Sequence, residues 1–358
     1  MGVEGRGIVA RWTSCVSLAA MKKIEIAGGG LAGLSLGIAL RRFGIPVLLR
    51  EASTYPRHRV CGEFINGVTE NTLEVLGISP VFSDALRHRS TRWWMGDRQI
   101  FEASLSRPAL GMSRWEMDER LRCIFEEEGG VLKTNDRAKP VPREGLVWAA
   151  GRHLERESQL LGLKAHFEGL NVDGYLEMHI GEGSYIGLTP ITPDGSRVNV
   201  CGLFKKGKFR PGGNPIVDAL RQSGLEALGD RLDSASMDPG SLTGISGFHL
   251  GSQRGKSDLC TLGDAERMIP PFTGNGMSMA FESAECALSH LLHYSSGDLS
   301  WAEANERIRH SLDERFRSRV RLALGLHRCL TNAVGRAILR SAACAGVLPF
   351  SWLHQKLS

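Results

Sequence analysis

The chain has 358 residues, a formal net charge of +5 and 42% hydrophobic residues, enough for a large core in two domains or in one domain with an inserted lobe. Its eight cysteines, at 15, 61, 123, 201, 260, 286, 329 and 344, include no CxxC pair, which argues against a zinc site and a disulfide framework and fits a reducing cytoplasm. No run of about eighteen uninterrupted apolar residues occurs, so no transmembrane helix is expected.

Residues 1–20 carry Arg6 and Arg11, and Ser, Thr and Cys interrupt the stretch from Trp12 to Ala20, so a signal peptide is not expected. Met21-Lys22-Lys23 precedes the first strand as a natural start would, and 1–20 are expected to be a disordered extension. The pattern predicts a strand over 22–27, a helix over 30–43 and a strand over 46–51. Between the first two lies Gly28-Gly29-Gly30-Leu31-Ala32-Gly33. Gly28 turns the chain, Gly30 lets backbone approach a pyrophosphate, and Gly33 lets helix pack on strand. Leu31 and Ala32 open a helix whose unpaired N–H groups and positive end attract that anion. Glu51 ends the second strand, where an acid grips the adenosine ribose. The unit reads as a dinucleotide site.

An irregular segment over 52–63 contains Pro56-Arg57-His58-Arg59-Val60-Cys61-Gly62. A helix is predicted over 67–76, strand-like pattern from Ser90 to Leu110, and a helix after Ser113-Arg114 reaching Glu128 through Met117, Leu121 and Ile124. Between Gly129 and Gly151 there is room for a shortened hairpin, and 145–151 reads as a buried parallel strand. Alternation over 164–170, 174–180, 184–190 and 197–204 predicts an antiparallel sheet inserted into the nucleotide fold. Helices are expected near 214–227, 277–293, 301–326 and 330–345. A strand from Asp258 to Leu262 would deliver Asp264 as an acceptor for sugar-like hydroxyls. The turn from Pro270-Pro271 through Gly274-Asn275-Gly276 to Met277 then aims helix N–H groups at developing negative charge.

Gly263-Asp264, with Pro271 and Gly274 to Met277, resembles the Gly-Asp motif of FAD enzymes of the para-hydroxybenzoate hydroxylase and geranylgeranyl reductase superfamily. The resemblance implies that the acid holds the ribityl chain, that the helix start faces the flavin, and that FAD is the resident cofactor. It implies an α/β fold, α+β overall: a Rossmann-type FAD-binding domain over 21–62, 111–162 and 245–295, an antiparallel-sheet substrate domain over 63–110 and 163–244, and a C-terminal basic helical segment over 296–358. Residues 56–62 are similar to the Pro-x-x-Lys/Arg-x-Cys-Gly segment of geranylgeranyl reductases, which places Arg59 beside the cofactor and Cys61 at the substrate cavity. The next residue is Glu63 where that family has glycine. Ser113-Arg114 with Asp118 and Leu121 looks like the family's helix start, its basic residue near the flavin. Gly162 to Phe167 and Tyr185 to Pro190 resemble strands of the substrate sheet. His166 and Tyr185 have the chemistry for proton transfer, and each also suits a satisfied sheet position.

The resemblance implies a FAD-dependent oxidoreductase reduced transiently by NADH or NADPH, since there is one Rossmann fingerprint and FAD takes it. The expected activity is a monooxygenase acting on an apolar or aromatic small molecule, because Glu63 breaks the reductase pattern. The alternatives are a reductase of carbon–carbon double bonds in a lipid or isoprenoid, and a non-catalytic flavoprotein. No GxSxG elbow, HExxH site, P-loop lysine or halogenase Trp-x-Trp-x-Ile-Pro motif occurs, and no metal site is expected. Basic residues are not interleaved with stacking aromatics, which argues against nucleic acid. From Trp301 to Ser358 ten Lys or Arg face four acids, a surplus of six, with Arg321, Arg328, Arg336 and Arg340 at near-helical spacing among leucines. Packing on its own protein is the first expectation for this helix, and peripheral contact with the inner face of a membrane the second.

Overall fold

The computed structural model describes residues 21–153, 155–207, 210, 212–253 and 258–357, and the expectation for 1–20 lies outside the described residues. The strand Ile24–Ala27 sits at the centre of a five-stranded parallel sheet. Val47–Arg50 and then Val131–Lys133 flank it on one side, Leu146–Trp148 and then Cys260–Thr261 on the other. Ten of the twelve residues of the helix Leu31–Arg42 are buried, because Leu34, Leu36, Ile38 and Leu40 are apolar and Gly37 leaves room for the Phe125 ring. That helix packs between the sheet and the helix Gly276–Ser296, which brings the two glycine turns together.

An eight-stranded sheet stands beside this unit. Its order is Ser236–Ser246, Leu160–Glu168, Arg197–Lys205, Ser184–Pro190, Leu176–Gly181, Leu86–Met95, Arg98–Gly111 and Phe64–Ile65. Neighbours pair antiparallel except Leu86–Met95 with Leu176–Gly181, which run parallel and join two chain segments into one surface. Strand alternation divides the faces. Ala165, Phe167, Ile186, Val198 and Val200 form a core with the helices Pro215–Arg221 and Glu226–Asp233. Gly162, Tyr185, Gly187, Cys201 and Leu203 turn toward the nucleotide unit.

Three expectations need correction. The span 129–151 holds no hairpin: Val131–Lys133 extends the parallel sheet, tied by Glu51 N to Lys133 O at 2.8 Å, and a loop leads to Leu146. The single helix near 214–227 is two, parted at Gly224, whose φ of +68° is a helix-ending conformation. The helix from Trp301 runs to Thr331, started by a Ser300–Glu303 capping box. Asn332 then ends it and caps Ala333–Cys344, accepting from Gly335 N at 2.7 Å.

The long helix buries Ala304, Ile308, Leu312, Phe316 and Val320 in the main core. The helices Ala333–Cys344 and Phe350–Leu357 lie against the strand Arg98–Gly111, so the C-terminal segment packs on its own protein. Among the described residues no helix is long and apolar enough to cross a membrane.

Candidate active site

Each glycine of the first turn answers to a different constraint. Gly28 has φ +110° and a Cβ there would collide with the Ala149 carbonyl; a Cβ on Gly33 would collide with the Gly28 carbonyl. Gly30 is extended, and a Cβ on it would meet nothing within 4 Å. The space beside Gly30, Leu31 and Ala32 is the end of a cleft of about 530 Å³. No side chain caps this helix, so its first N–H groups stay open to an anion in the cleft.

Arginines line the same cleft. Glu51 is buried under the glycine turn, where it accepts from Gly29 N at 2.8 Å, Ser53 N at 3.0 Å and Arg57 Nη2 at 2.8 Å. Asp118, fully buried, accepts from Arg59 Nε at 2.8 Å and from Arg114 Nε and Nη2 at 2.8 and 2.9 Å. Arg57 Nε, Arg59 Nη2 and Arg152 Nε are buried with no hydrogen-bond partner. Spare guanidinium donors beside an open helix start fit a diphosphate. The residues present therefore suit the dinucleotide end of FAD.

At the other end, Gly263 has φ +60° and its Cβ position is 3.1 Å from Ala32 Cβ, so the second turn packs directly on the first helix. Asp264 follows; its ion-pair partner is Arg152 Nη1 at 3.9 Å, and burial raises its pKa. A carboxylate this weakly paired on a cleft wall suits polyol hydroxyls. Gly274, with φ +68°, lies against the Phe64 ring and leads into the helix Gly276–Ser296. Asn275 is fully buried and does not line the cleft: its Nδ2 donates to Asn66 O at 3.0 Å and fixes the loop.

The structure brings Gly30, Leu31, Ala32, Arg59, Cys61, Arg114, Tyr185, Gly263, Asp264, Pro271, Gly274, Gly276 and Met277 to one cleft. Gly28, Gly33, Glu51, Asn275 and His166 stand behind its walls. Cys61 Sγ is 3.5 Å from Met277 Sδ, and burial pushes its pKa up, which keeps it a thiol. Tyr185 presents its hydroxyl 3.4 Å from His327 Nδ1, and burial raises its pKa well above 10.0.

His166, for which proton transfer and a satisfied sheet position are both expected, is buried behind the cleft with its Nε2 2.7 Å from Glu63 Oε2. Glu63 has φ +56°, the conformation glycine fills most easily, and is held there by its polar partners. Besides His166 it accepts from Arg114 N at 3.0 Å, and Lys164 Nζ lies 3.4 Å away. Burial alone raises the Glu63 pKa, but His166 and Lys164 together bring it below 4.5. Donor atoms of His58, Glu63 and His166 lie within 4.8 Å of one another, as metal ligands do. Lys164 Nζ stands among them, 3.0 Å from His58 Nδ1, and supplies the positive charge itself.

A second, apolar cavity of about 110 Å³ adjoins the cleft. Phe64, Met178 and Phe272 line both. Trp93, Phe101, Leu330, Leu339, Leu353 and Leu357 are among the rest of its wall.

No protein-family model matches the chain. In sequence it is similar to a menaquinone reductase of Mycobacterium tuberculosis H37Rv, 23% identical over 314 residues that cover 74% of this chain and 75% of that protein. In structure it is similar to p-nitrophenol 4-monooxygenase PnpA of Pseudomonas putida, with a TM-score of 0.74 and 12% identity over 94% of this chain and 96% of that one. A geranylgeranyl bacteriochlorophyll reductase-like protein of Thermoplasma acidophilum gives 0.73 at 16% identity, over 94% and 95%. PqsL of Pseudomonas aeruginosa, in complex with 2-aminobenzoylacetate, gives 0.69 at 16% identity, over 91% and 98%.

The chain has the fold of the FAD-dependent oxidoreductases. Within this flavin fold, sequence reasoning missed Arg57 and Arg152 at the cleft and Lys164 behind it. Arg152 had a usable signal, since it follows the small residues Ala149-Ala150-Gly151 at the end of a parallel strand. The C-terminal wall of the apolar cavity had none, because residues 326–357 meet Phe101 and Met178 only through the tertiary fold.

Proposed function

We propose that the chain is a FAD-dependent oxidoreductase that draws electrons from NADH or NADPH and delivers them to an apolar or aromatic small molecule. The observation that carries this reading is the shared wall: Phe64, Met178 and Phe272 separate a cleft with two glycine turns from a cavity with an apolar lining. When bound, FAD supplies the two-electron chemistry. Leu31 and Ala32 N–H groups and the free donors of Arg57 and Arg59 would hold its diphosphate, and Asp264 would accept from the ribityl hydroxyls. The helix start at Gly276 and Met277 presents N–H dipoles to negative charge at the ring end. Phe64, Met178 and Phe272 exclude water, and Tyr185 holds a proton at its phenolic oxygen on the same wall.

Two versions share this geometry. The oxygenating version draws support from the monooxygenase PnpA among the structural neighbours. The reducing version draws support from the sequence likeness to a menaquinone reductase and from the position of Cys61 at the cleft. A visible spectrum of the purified protein after incubation with FAD tests the common core: a chain that stays colourless refutes it. Bleaching by NADH or NADPH tests the electron donor. Product formation that persists without oxygen selects the reductase, and strict oxygen dependence selects the monooxygenase. A cytoplasmic enzyme with a peripheral membrane contact belongs to the same reading.

A further inference from the structure

The last stretch of the chain is two-faced. Leu339, Leu348 and Leu353 line the apolar cavity, while the residue immediately before each, Ile338, Val347 and Trp352, stands in solvent at 65%, 70% and 53% exposure. The wall is therefore one layer of chain thick. With Val334, these make four of the seven large apolar side chains that stand exposed among the described residues. From Arg315 to Ser358 the sequence has eight Lys or Arg and no Asp or Glu; Arg315 and Arg319 pair with Glu282 and Arg317 with Asp313, which leaves the surplus on Arg321, Arg328, Arg336, Arg340 and Lys356. Arg328, Arg340 and Lys356 are exposed beside the apolar set.

Clustered exposed aliphatics are disfavoured in water and mark a contact surface. A protein partner of ordinary composition would meet this patch with mixed charge. A surface of uniform negative charge over an apolar interior matches it on both counts, and an anionic bilayer is such a surface: lipid phosphates attract the basic residues, acyl chains take Val334, Ile338 and Val347, and Trp352 suits the interface between them.

We propose that residues 333–357 dock on an anionic lipid bilayer and form the port through which the apolar cavity is loaded, so that the substrate is a molecule dissolved in the membrane. This rests on the reading of the cavity as the substrate site of a flavin oxidoreductase. The thin wall gives a lipid-soluble molecule a path from acyl chains to Phe272 that avoids water. The loop 345–349 between the two helices is the natural seam, since Gly346 there has φ +69° and a Cβ on it would meet nothing within 4 Å.

The test is flotation of the full-length, FAD-loaded protein with phosphatidylglycerol-containing vesicles and with pure phosphatidylcholine vesicles. The expected result is binding to the anionic vesicles, release by high salt, and about tenfold weaker binding to the neutral ones. Ile338→Glu with Trp352→Glu should lose binding by about tenfold or more, with yellow colour, melting temperature and bleaching by reduced nicotinamide unchanged. Brominated phosphatidylglycerol should quench tryptophan emission in the parent protein, and Trp352→Phe should remove most of that quenching. Wild-type protein that stays unbound to anionic vesicles overturns the proposal. So does a double variant that binds like wild type, or a solution dimer that the double variant splits. A colourless protein that still floats counts against the flavin reading alone, and a yellow protein that does not float counts against the port alone.

Discussion

Glu63 Oε2 and His166 Nε2 lie 2.7 Å apart in a fully buried position, and this pair locks the Cys61-Gly62 segment onto the eight-stranded sheet. An ionised carboxylate only accepts, so Nε2 carries the proton. The same carboxylate takes Arg114 N and faces Lys164, joining the start of the helix Arg114–Glu127 to the sheet. Glu63→Gln should therefore cost about 3–5 kcal/mol, because Lys164 is left in the interior without its counter-charge. Chemical denaturation of the two proteins measures it, and a loss below about 1 kcal/mol would show that the pair is idle.

Acid should act on this cluster in a defined direction. Burial, then Lys164, push the His58 pKa from 6.5 down to about 4. Between those values the unfolded chain binds a proton that the folded chain refuses, so stability falls as pH falls through that window. Glu63 works in the same sense at lower pH: its depressed pKa gives stability that is present above the ordinary carboxylate range and lost as pH drops through the depressed value. His58→Asn should flatten the melting-temperature profile between pH 6.5 and about 4. An unchanged slope would remove His58 from the account.

Gly30 and Gly28 separate cofactor binding from folding. Gly30→Val puts a side chain into open space on an extended residue, so the variant should melt like FAD-free wild type and fail to retain FAD. Gly28→Val meets the Ala149 carbonyl and a φ of +110°, and should lose about 1–3 kcal/mol or more of stability as well. Retained flavin in Gly30→Val would show that the diphosphate lies elsewhere.

Asp264→Ala removes the acceptor proposed for the ribityl hydroxyls and leaves Arg152 without its partner at 3.9 Å. FAD dissociation should rise by roughly 10- to 100-fold, the weight of a charge-assisted hydrogen bond. Equilibrium dialysis against free flavin reads this directly, and unchanged retention would strip the second motif of its role.

Tyr185→Phe keeps the ring against Phe272 and deletes only the hydroxyl. If that oxygen holds the proton during turnover, kcat should fall by about 10²-fold while KM and the flavin spectrum stay as they were. A fall in affinity with kcat preserved would make Tyr185 a packing residue.

The parallel sheet and both glycine turns were legible because their signals are local: an apolar run, a glycine with a positive φ, and a helix start lie within a few residues of one another. Glu51 is expected to grip an adenosine ribose, whereas its carboxylate turns to Gly29 N and Arg57 at the back of the cleft, a relationship that depends on how the loop 52–57 folds. His166 was singled out for its chemistry, and strand alternation alone does not say that Glu63 waits opposite it. The hairpin expected within 129–151 failed because a three-residue edge strand needs only one neighbour, and the sequence shows no trace of which. The cavity was illegible for a further reason: its apolar lining comes from several strands and helices whose own patterns are satisfied by ordinary core packing.

The cleft is stitched from three distant stretches: the turn at Gly28 to Gly33, the strand end at Ala149 to Arg152, and the turn at Gly263 to Met277. A nascent chain emerging from the ribosome has no complete pocket until the last of these is outside. The helix Leu31–Arg42 must meanwhile do without the helix Gly276–Ser296 that finally packs on it. The cleft is thus completed late, and the interval before it closes is set by the order of these segments along the chain rather than by the strength of any single contact.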